Sequence, residues 1–285
     1  MTRRTAGFTL PEALIALTIS SVLVLLVSTV FLVQNDFYSH ILLRSQVQEN
    51  ARTMSELVGS EIRALASGSM IVADSSRLVA RANIVTGLVC GTQGSDVIVY
   101  LPGGSTAFDT TDVAGFGYRN PSTGAWTYYS RTWSQLKQPG GVPGLQCALQ
   151  GADTTGAISH FVRMDHIDSD TGVSGATLAS SGSVIMLFRQ TEFRFNNSLL
   201  VSGDRALFWG LYGQTLKEVV TGMSSDAHFE YRTGVNTWSK AIASGSLANV
   251  NGVRIVAQSI GKGETSQQAT YSFGWSVDIP LANAY

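Results

Sequence analysis

The stretch Gly7-Phe8-Thr9-Leu10-Pro11-Glu12, followed at once by Ala13–Val33, determines how this chain folds. Ala13–Val33 contains 21 consecutive residues without a charge, a proline, a glycine or a side-chain amide. At about 1.5 Å per residue, a helix of this length extends about 31 Å, close to the roughly 30 Å hydrocarbon core of a bilayer. The sequence therefore predicts a membrane-spanning helix near the N-terminus.

Polar residues on either side of the apolar run predict its orientation. Arg3 and Arg4 precede the run, and Gln34-Asn35-Asp36 follows it. Because positive charge is retained on the cytoplasmic side, we expect the N-terminus inside and the rest of the chain outside. Two alternatives stay open. A cleaved secretory signal peptide has a shorter apolar region, and a plain signal anchor gives no reason for the acid Glu12 at the mouth of the span.

The order of residues around Glu12 carries a specific resemblance. A short basic leader ends at Gly7, Phe8 follows, and Glu12 stands fifth when Phe8 is counted as the first residue. This arrangement resembles the type IV pilin superfamily, which comprises pilins, minor pilins and the pseudopilins of type II secretion. The resemblance implies cleavage between Gly7 and Phe8 by a prepilin peptidase, N-methylation of Phe8, and pairing of Glu12 with the N-terminal amine of a neighbouring subunit.

The same resemblance implies a location and a set of partners. The chain is expected to be a single-pass protein of the cytoplasmic (inner) membrane, surrounded by membrane lipid, and later part of a filament in the periplasm or at the cell surface. Its partners are expected to be other pilins or minor pilins, the prepilin peptidase and an inner-membrane assembly platform. No cofactor is implied, and nucleic acid stays open as a partner.

The chemistry of Glu12 agrees with an assembly contact. A carboxylate in lipid or in a filament core is tolerated when a cation lies within hydrogen-bond reach. Glu12 also falls in the first helical turn, where the helix dipole favours negative charge, and Pro11 fits there because its missing N–H has no intrahelical partner to lose. The alternative is that Glu12 only caps its own helix.

Beyond the membrane span, the spacing of apolar residues predicts that the helix continues from Phe37 to about Ala66, with Gly68 as its stop. Apolar residues recur at steps of four, three, four, four and three, which is the period of an amphipathic helix. A coiled-coil dimer is the less favoured alternative, because this half covers only four heptads and its apolar residues do not fall strictly at the a and d positions. The residues of this predicted stripe are Val47, Ala51, Met54, Val58, Ile62 and Leu65.

From about Ser67 onward, short β-rich runs are separated by Gly, Ser and Thr, and several runs alternate between apolar and polar residues. Such alternation predicts antiparallel strands. The predicted fold class is α+β and pilin-like: one long N-terminal helix packed on an antiparallel β-sheet head. The predicted divisions are a leader at 1–7, a transmembrane or filament-core helix at 8–34, its amphipathic continuation at 35–67 and an extracytoplasmic head at 68–285.

Three local features of the head give further predictions. Asn196-Asn197 predicts a two-residue hairpin between strands at Glu192–Phe195 and Ser198–Val201. Gly115-Phe116-Gly117 predicts a turn. Residues 102–182, which are rich in Gly and Thr, predict long surface loops or a second small sheet.

The charge composition of the chain excludes several classes of protein. Charged residues make up 14%, against about 25% in a typical soluble domain, and 19 basic residues nearly balance 20 acidic ones. This balance excludes a polybasic nucleic-acid binder and a charge-driven disordered chain. Cys90 and Cys147 would lie on the translocated side, where disulfides persist, so a disulfide is predicted. Two separately buried thiols are the alternative.

No enzyme is predicted, because catalytic motifs are not found in the sequence. Asp168 and Asp170 begin a stretch like a calcium loop, but the third acid and the final glutamate of such a loop are missing, so a solvated loop is favoured over calcium and no metal is predicted. The five tryptophans predict sheet core, since a stacking surface for DNA or sugar needs neighbouring cations and no Arg or Lys run supplies them.

Two functions from different classes follow. The first is a minor structural subunit that primes or caps assembly of a pilus or pseudopilus. The second is a binding subunit at the filament tip, for adhesion or DNA uptake, which would use the 102–182 region. A looser resemblance, to PilW-like minor pilins and J-type minor pseudopilins, is carried by the tract Gln46–Arg52 and the C-terminal β-rich runs.

Overall fold

The computed structural model describes residues 9–66, 68–93, 96–101, 112–120, 122–130, 136–137, 161–164, 181–261 and 271–281. A single long helix, α1, is followed by β-strands and a short 3-10 helix at Ser244–Asn249. The elements are α1 (Leu10–Arg63), β1 (Met70–Ala73), β2 (Arg77–Gln93), β3 (Asp96–Tyr100), β4 (Gly115–Arg119), β5 (Trp126–Ser130), β6 (Leu136–Lys137), β7 (Phe161–Met164), β8 (Val184–Asn197), β9 (Arg205–Leu211), β10 (Lys217–Met223), β11 (His228–Arg232), β12 (Trp238–Ser239), β13 (Gly252–Gly261) and β14 (Tyr271–Pro280).

The predicted α+β class is confirmed: a long apolar N-terminal helix precedes an antiparallel sheet. The helix ends at Arg63, three residues before the predicted end, and Gly68 takes a φ of 75°, which a side chain would disfavour. The chain forms two units, residues 1–49 with 260–273 and residues 50–259 with 274–285. The predicted divisions at 34/35 and 67/68 stay predictions.

The sheet of the second unit is built around β8, which pairs with β2 from Val184 to Arg194. On its other edge β8 pairs with β4 over Ile185–Phe188 and with β9 over Thr191–Asn197. The pairings among β1 to β13 are antiparallel. The strand order along the main path is β12-β11-β13-β10-β9-β8-β2-β3-β7-β6.

One core of the second unit lies between the helix and the sheet. Met54, Val58 and Ile62, spaced four residues apart on the helix, are each 0% exposed, as the predicted stripe requires. Full burial of side chains of this size contributes about 1.5–3 kcal/mol each. The sheet residues of this cluster include Leu78, Phe193, Phe195, Leu207, Phe229, Tyr231, Val253 and Ile255.

A second core lies where β2, β3, β4 and β8 meet. Most residues of this core are aliphatic, and its one aromatic residue is Phe116 of β4. The Phe116 ring stacks on that of Tyr129, with the ring centroids 5.0 Å apart. The cluster comprises Val89, Val97, Val99, Leu101, Val113, Phe116, Ile185 and Leu187. Because Val113 and Phe116 belong to it, part of the region predicted as surface loops or a second small sheet is core, and strands β4 to β7 of that region join the main sheet.

Two of the local predictions are wrong. Gly115–Arg119 is a strand and not a turn, because its glycines allow close packing: a Cβ on Gly115 would overlap the Tyr129 carbonyl oxygen. Asn196-Asn197 is also not a hairpin turn. Both residues continue β8 and pair with Ala206 and Arg205, and the chain reverses in residues 198–204 instead.

Candidate assembly helix and polar clusters of the head

The first turn of α1 is closed by a cap between Thr9 and Glu12. Thr9 precedes the helix, and its backbone N–H donates to Glu12 Oε2 at 3.1 Å. The Thr9 hydroxyl donates to the same oxygen at 2.8 Å. The spacing T-x-x-E is that of a capping box, in which an acid at the third helical position satisfies an N–H that has no intrahelical partner. Pro11 lies between them and has no N–H to satisfy.

This geometry shows what Glu12 does within one uncleaved chain. The side chain is exposed and caps its own helix, which was the alternative to an assembly contact. The two roles are compatible, because in an uncleaved chain the Phe8 nitrogen is an amide and offers no positive charge. Gly7 and Phe8 lie outside the described residues, so cleavage, methylation and the contact of Glu12 with a neighbouring subunit stay predictions.

The helix after this cap exposes apolar side chains on all sides. From Leu14 to Val33 the large apolar side chains are 55–70% exposed, and no residue of the most apolar 18-residue window is buried. By length and composition the helix is able to cross a membrane. In water this surface is unfavourable by about 25 cal/mol for every Å² of apolar area. The helix therefore needs lipid or other protein around it.

Three of the five hydroxyl groups within this apolar segment donate to carbonyls of the same helix. The Thr18, Ser21 and Thr29 hydroxyls donate to the carbonyls of Ile15, Thr18 and Leu26 at 2.8–2.9 Å. Each bond reaches back three residues, so these polar groups need no water. Beyond the segment, Asp36 and His40 approach to 3.7 Å, which marks the start of the polar part of the helix.

Two polar contacts fix the second half of the helix to the sheet. The Asn50 side-chain amide donates to the Thr221 carbonyl at 3.2 Å. Further along, Arg189 Nη2 of β8 donates to Glu61 Oε1 at 3.1 Å, and both side chains are partly buried. Because helix and sheet contribute one partner each, the two bonds set where the helix lies along the sheet.

A buried carboxylate organises two arginines on neighbouring strands. Glu192 is 3% exposed and accepts from Arg77 Nε at 2.9 Å and from Arg194 Nε at 2.8 Å. Arg77 and Arg194 are directly opposite across β2 and β8, so without the acid between them their like charges would repel. Hydrogen bonding to Glu192 raises the pKa of Arg77.

Burial is described for three of the five tryptophans, and all three are less buried than a sheet-core position requires; Trp133 and the side chain of Trp275 lie outside the described part of the chain. Trp126, Trp209 and Trp238 are half-buried, although Trp209 packs against the first core. Trp238 also has two neighbouring cations: Arg254 lies 4.0 Å and Arg232 lies 5.6 Å from its ring centroid. No run of Arg or Lys in the sequence indicates them. The charge of the nearer cation is largely neutralised.

This neutralisation comes from two acids that face Arg254. Its Nε donates to Asp278 Oδ1 at 2.6 Å, and its Nη1 donates to Glu230 Oε2 at 3.4 Å. The hydrogen bonds from Arg254 lower the pKa of Asp278. Because Arg254 is paired with these two acids, it attracts a phosphate less strongly than an unpaired arginine would.

The remaining predicted site residues lie only partly within the described ranges. Cys90 is buried, while Cys147 lies outside those ranges, so the disulfide stays a prediction. Asp168 and Asp170 lie outside them as well. Among the described residues, no group of three His, Cys, Asp or Glu side chains is arranged to hold a metal ion.

Comparison with known proteins gives one finding. Residues 2–28 match the family model described as the prokaryotic N-terminal methylation motif. No curated protein and no solved structure matches the chain significantly. The motif and the long apolar helix indicate a type IV pilin-like protein, and with it a membrane-anchored structural subunit. The motif implies processing by a prepilin peptidase and assembly with other pilins.

Proposed function

We propose that this protein is a minor type IV pilin-like subunit that primes or caps assembly of a pilus or pseudopilus. The observation that carries the proposal is the methylation motif at residues 2–28 on a helix whose apolar side chains are exposed on all sides. A subunit of this kind waits in the inner membrane with its head outside, and then exchanges lipid for the helices of other subunits. The large β-sheet head supports a minor role.

Processing would change the electrostatics of the first turn. Cleavage after Gly7 turns the Phe8 nitrogen into an amine, which is positively charged and remains so after N-methylation. Glu12 then has a cation as an alternative to its bonds with Thr9. In a filament core the attraction between the carboxylate and a neighbour's amine is strong, because little water screens it.

The N-terminus of the mature protein provides the first test. Mass spectrometry of the protein purified from membranes is expected to show methylated Phe8 as the first residue. An intact Met1, or cleavage after Val33, would show that the chain is a plain signal anchor or a secreted protein. A strain that lacks the prepilin peptidase serves as the control, because the leader should then remain attached.

A matched pair of substitutions tests the assembly contact. Glu12→Ala is expected to lower the number of filaments strongly while processing at Gly7 continues. Asp36→Ala removes another exposed acid of the same helix, beyond the apolar segment, and is expected to leave filament number unchanged. Normal piliation in Glu12→Ala would contradict the proposal, as would an equal loss in both variants.

A role in adhesion or DNA uptake at the filament tip is the second candidate. It is supported by the extension of the sheet through β3, β7 and β6, which joins the middle of the chain to the head. Deleting all of 102–182 would not test it, because Val113 and Phe116 are core residues. Replacing residues 165–180 by a Gly/Ser linker of equal length leaves β7 and β8 intact. If the variant still forms filaments but no longer adheres or takes up DNA, the result would favour this role.

A further inference from the structure

Three arginines lie together on the face of the sheet that is turned away from the helix. Leu78 and Ala80 of β2 belong to the core that contains the helix residues. Because side chains alternate along a strand, Arg77 and Arg81 of β2 lie on the opposite face. Arg194 of β8 is directly opposite Arg77, so it shares that face. Arg77, Arg81 and Arg194 form the arginine row.

The arginine row contains more cations than it has acids to pair with them. Arg77 and Arg194 both form their ion pair with Glu192, so they share one negative charge. Arg81 forms no ion pair within the described part of the chain. Three positive charges are therefore balanced by one negative charge, and the row keeps a positive excess.

Arg81 lacks an acid although it is half-buried. Its guanidinium carbon lies 4.8 Å from the ring centroid of Tyr128 and 5.7 Å from that of Phe188, and its Nη1 donates to the Gly68 carbonyl at 3.5 Å. Burial lowers the pKa of the Arg81 guanidinium, because a charge removed from water is destabilised. A buried charge of this kind is normally paired. A carboxylate from another molecule would supply the missing partner.

Each arginine of the row keeps a nitrogen that another molecule can reach. The side chains of Arg77 and Arg194 are 30% and 41% exposed. Their bonds to Glu192 are made by Nε and Nη2, which leaves Nη1 of each group outside these bonds. Arg81 Nε is buried, whereas its Nη2, which has no acceptor among the described residues, is reached by solvent. The excess positive charge is thus accessible.

The geometry of the row selects the kind of partner. Arg77 binds both oxygens of Glu192, through Nε at 2.9 Å and Nη2 at 3.3 Å, which is how a guanidinium recognises a carboxylate. Arg77 and Arg81 are four residues apart on one strand, or about 13 Å. Acidic side chains at alternate positions of an extended peptide lie on one face with the same repeat. Two or three of them match the excess charge, whereas a nucleic acid carries a phosphate at every nucleotide.

We propose that the arginine row docks an extended acidic segment of another protein, whose carboxylates bind Arg77, Arg81 and Arg194. Opposite charges guide the segment to the row, and the bonds between guanidinium and carboxylate groups fix its position. The proposal does not depend on filament assembly, because the whole row belongs to the second unit.

Calorimetric titration of the full chain in a non-ionic detergent, with a peptide of about ten alternating Ser and Glu residues as the probe, tests the proposal. Saturable binding at one site is expected, and it should weaken at least about tenfold between about 0.05 and 0.5 M NaCl, because salt screens exposed charges. A Ser/Gln peptide of equal length is expected not to bind. Failure of the Ser/Glu peptide to bind would overturn the proposal. So would equal binding of the Ser/Gln peptide, or of oligothymidylate of the same length.

Substitutions locate the binding. Arg81→Gln removes the cation that has no acid and is expected to weaken binding of the Ser/Glu peptide about tenfold. Arg119→Gln removes an exposed arginine of β4 outside the row and is expected to leave binding unchanged. Arg194→Gln leaves Glu192 paired with Arg77, so it tests the row even if Arg81→Gln unfolds, and it is expected to weaken binding several-fold. Unchanged affinity in Arg194→Gln and in a folded Arg81→Gln would overturn the proposal, as would an equal loss in Arg119→Gln.

Discussion

Two stretches of the same helix, residues 10–33 and residues 50–63, place their apolar side chains in opposite environments. In the first, Leu25 is 66% exposed and its neighbours on every side are similarly exposed. In the second, Met54, Val58 and Ile62 are 0% exposed, while Glu56 on the other side of the helix points to solvent. Both stretches are helical, and both contain many apolar residues.

The difference shows that the arrangement of apolar residues, more than their number, indicates what a helix packs against. A stripe on one side fits a sheet within the same chain, because the other side can remain in water. A helix that is apolar on every side has no polar face to place in water, so it requires lipid or neighbouring helices around it. One continuous helix thereby serves two different surroundings.

The largest expected effect comes from truncating the buried stripe. Ile62→Ala is expected to lower the free energy of unfolding of the head by about 2–5 kcal/mol, because it removes contacts and leaves a cavity. Leu25→Ala, the matched change in the exposed stretch, is expected to change it by less than about 0.5 kcal/mol. Urea unfolding of both variants in detergent, followed by near-UV circular dichroism, measures the difference. Equal losses would remove the distinction between the two stretches.

A charge in the first stretch should act on the membrane and not on the head. Leu25→Arg is expected to oppose insertion by about 2.5–3.5 kcal/mol and so reduce the fraction of protein that resists carbonate extraction. Thr53→Arg adds the same charge at an exposed position in the second stretch and is expected to leave that fraction unchanged. If Leu25→Arg remains fully embedded, residues 10–33 do not span the bilayer as proposed.

A smaller effect separates the two sides of the second stretch. Glu61→Gln weakens the partly buried bond to Arg189 and is expected to destabilise the head by about 1 kcal/mol. Glu56→Gln weakens an exposed pair with Arg52 and is expected to cost less than about 0.5 kcal/mol. The same urea titration resolves them. A larger loss in Glu56→Gln would mean that the helix turns a different side to the sheet.

The smallest effect lies in the head, away from the helix. The pKa of Asp278 is lowered in the folded state by Arg254, so its stabilisation is present above its ordinary pKa of 3.8 and is lost as the pH falls through the lower folded value. Because Asp278 is half-exposed, Asp278→Asn is expected to cost under about 1 kcal/mol at neutral pH. The difference from the unaltered chain should shrink when unfolding is measured at about pH 2.5. A difference that keeps its full size there would mean that the charge of Asp278 is not its cause.

The sequence predicts the helix well because its signals are local. The apolar run at 13–33 and the stripe through Met54, Val58 and Ile62 are each visible within a few turns. Strands β11 and β14 are similarly visible, through the alternation of apolar and polar residues at 227–232 and 271–277. By contrast, β4 is not recognisable as a strand in the sequence. Its Gly115 and Gly117 indicate a turn unless it is known that β5 approaches them closely.

The candidate sites divide in the same way. Gly7, Phe8 and Glu12 are found through a contiguous motif, and the match at residues 2–28 identifies it as a methylation motif. The Thr9–Glu12 cap is also local. The arginine row of β2 and β8 has no contiguous sequence signal, because strand pairing places Arg194 beside Arg77 from a distant part of the chain. The cations beside Trp238 are missed for the same reason.

Strand β8 has a consequence for how the head unfolds. Ile185 and Leu187, near its start, belong to one hydrophobic core, and Phe193 and Phe195, near its end, belong to the other. Neither core is complete without this strand, so detaching β8 opens both at once. The head should therefore melt in one cooperative transition, with a calorimetric enthalpy equal to the van't Hoff enthalpy.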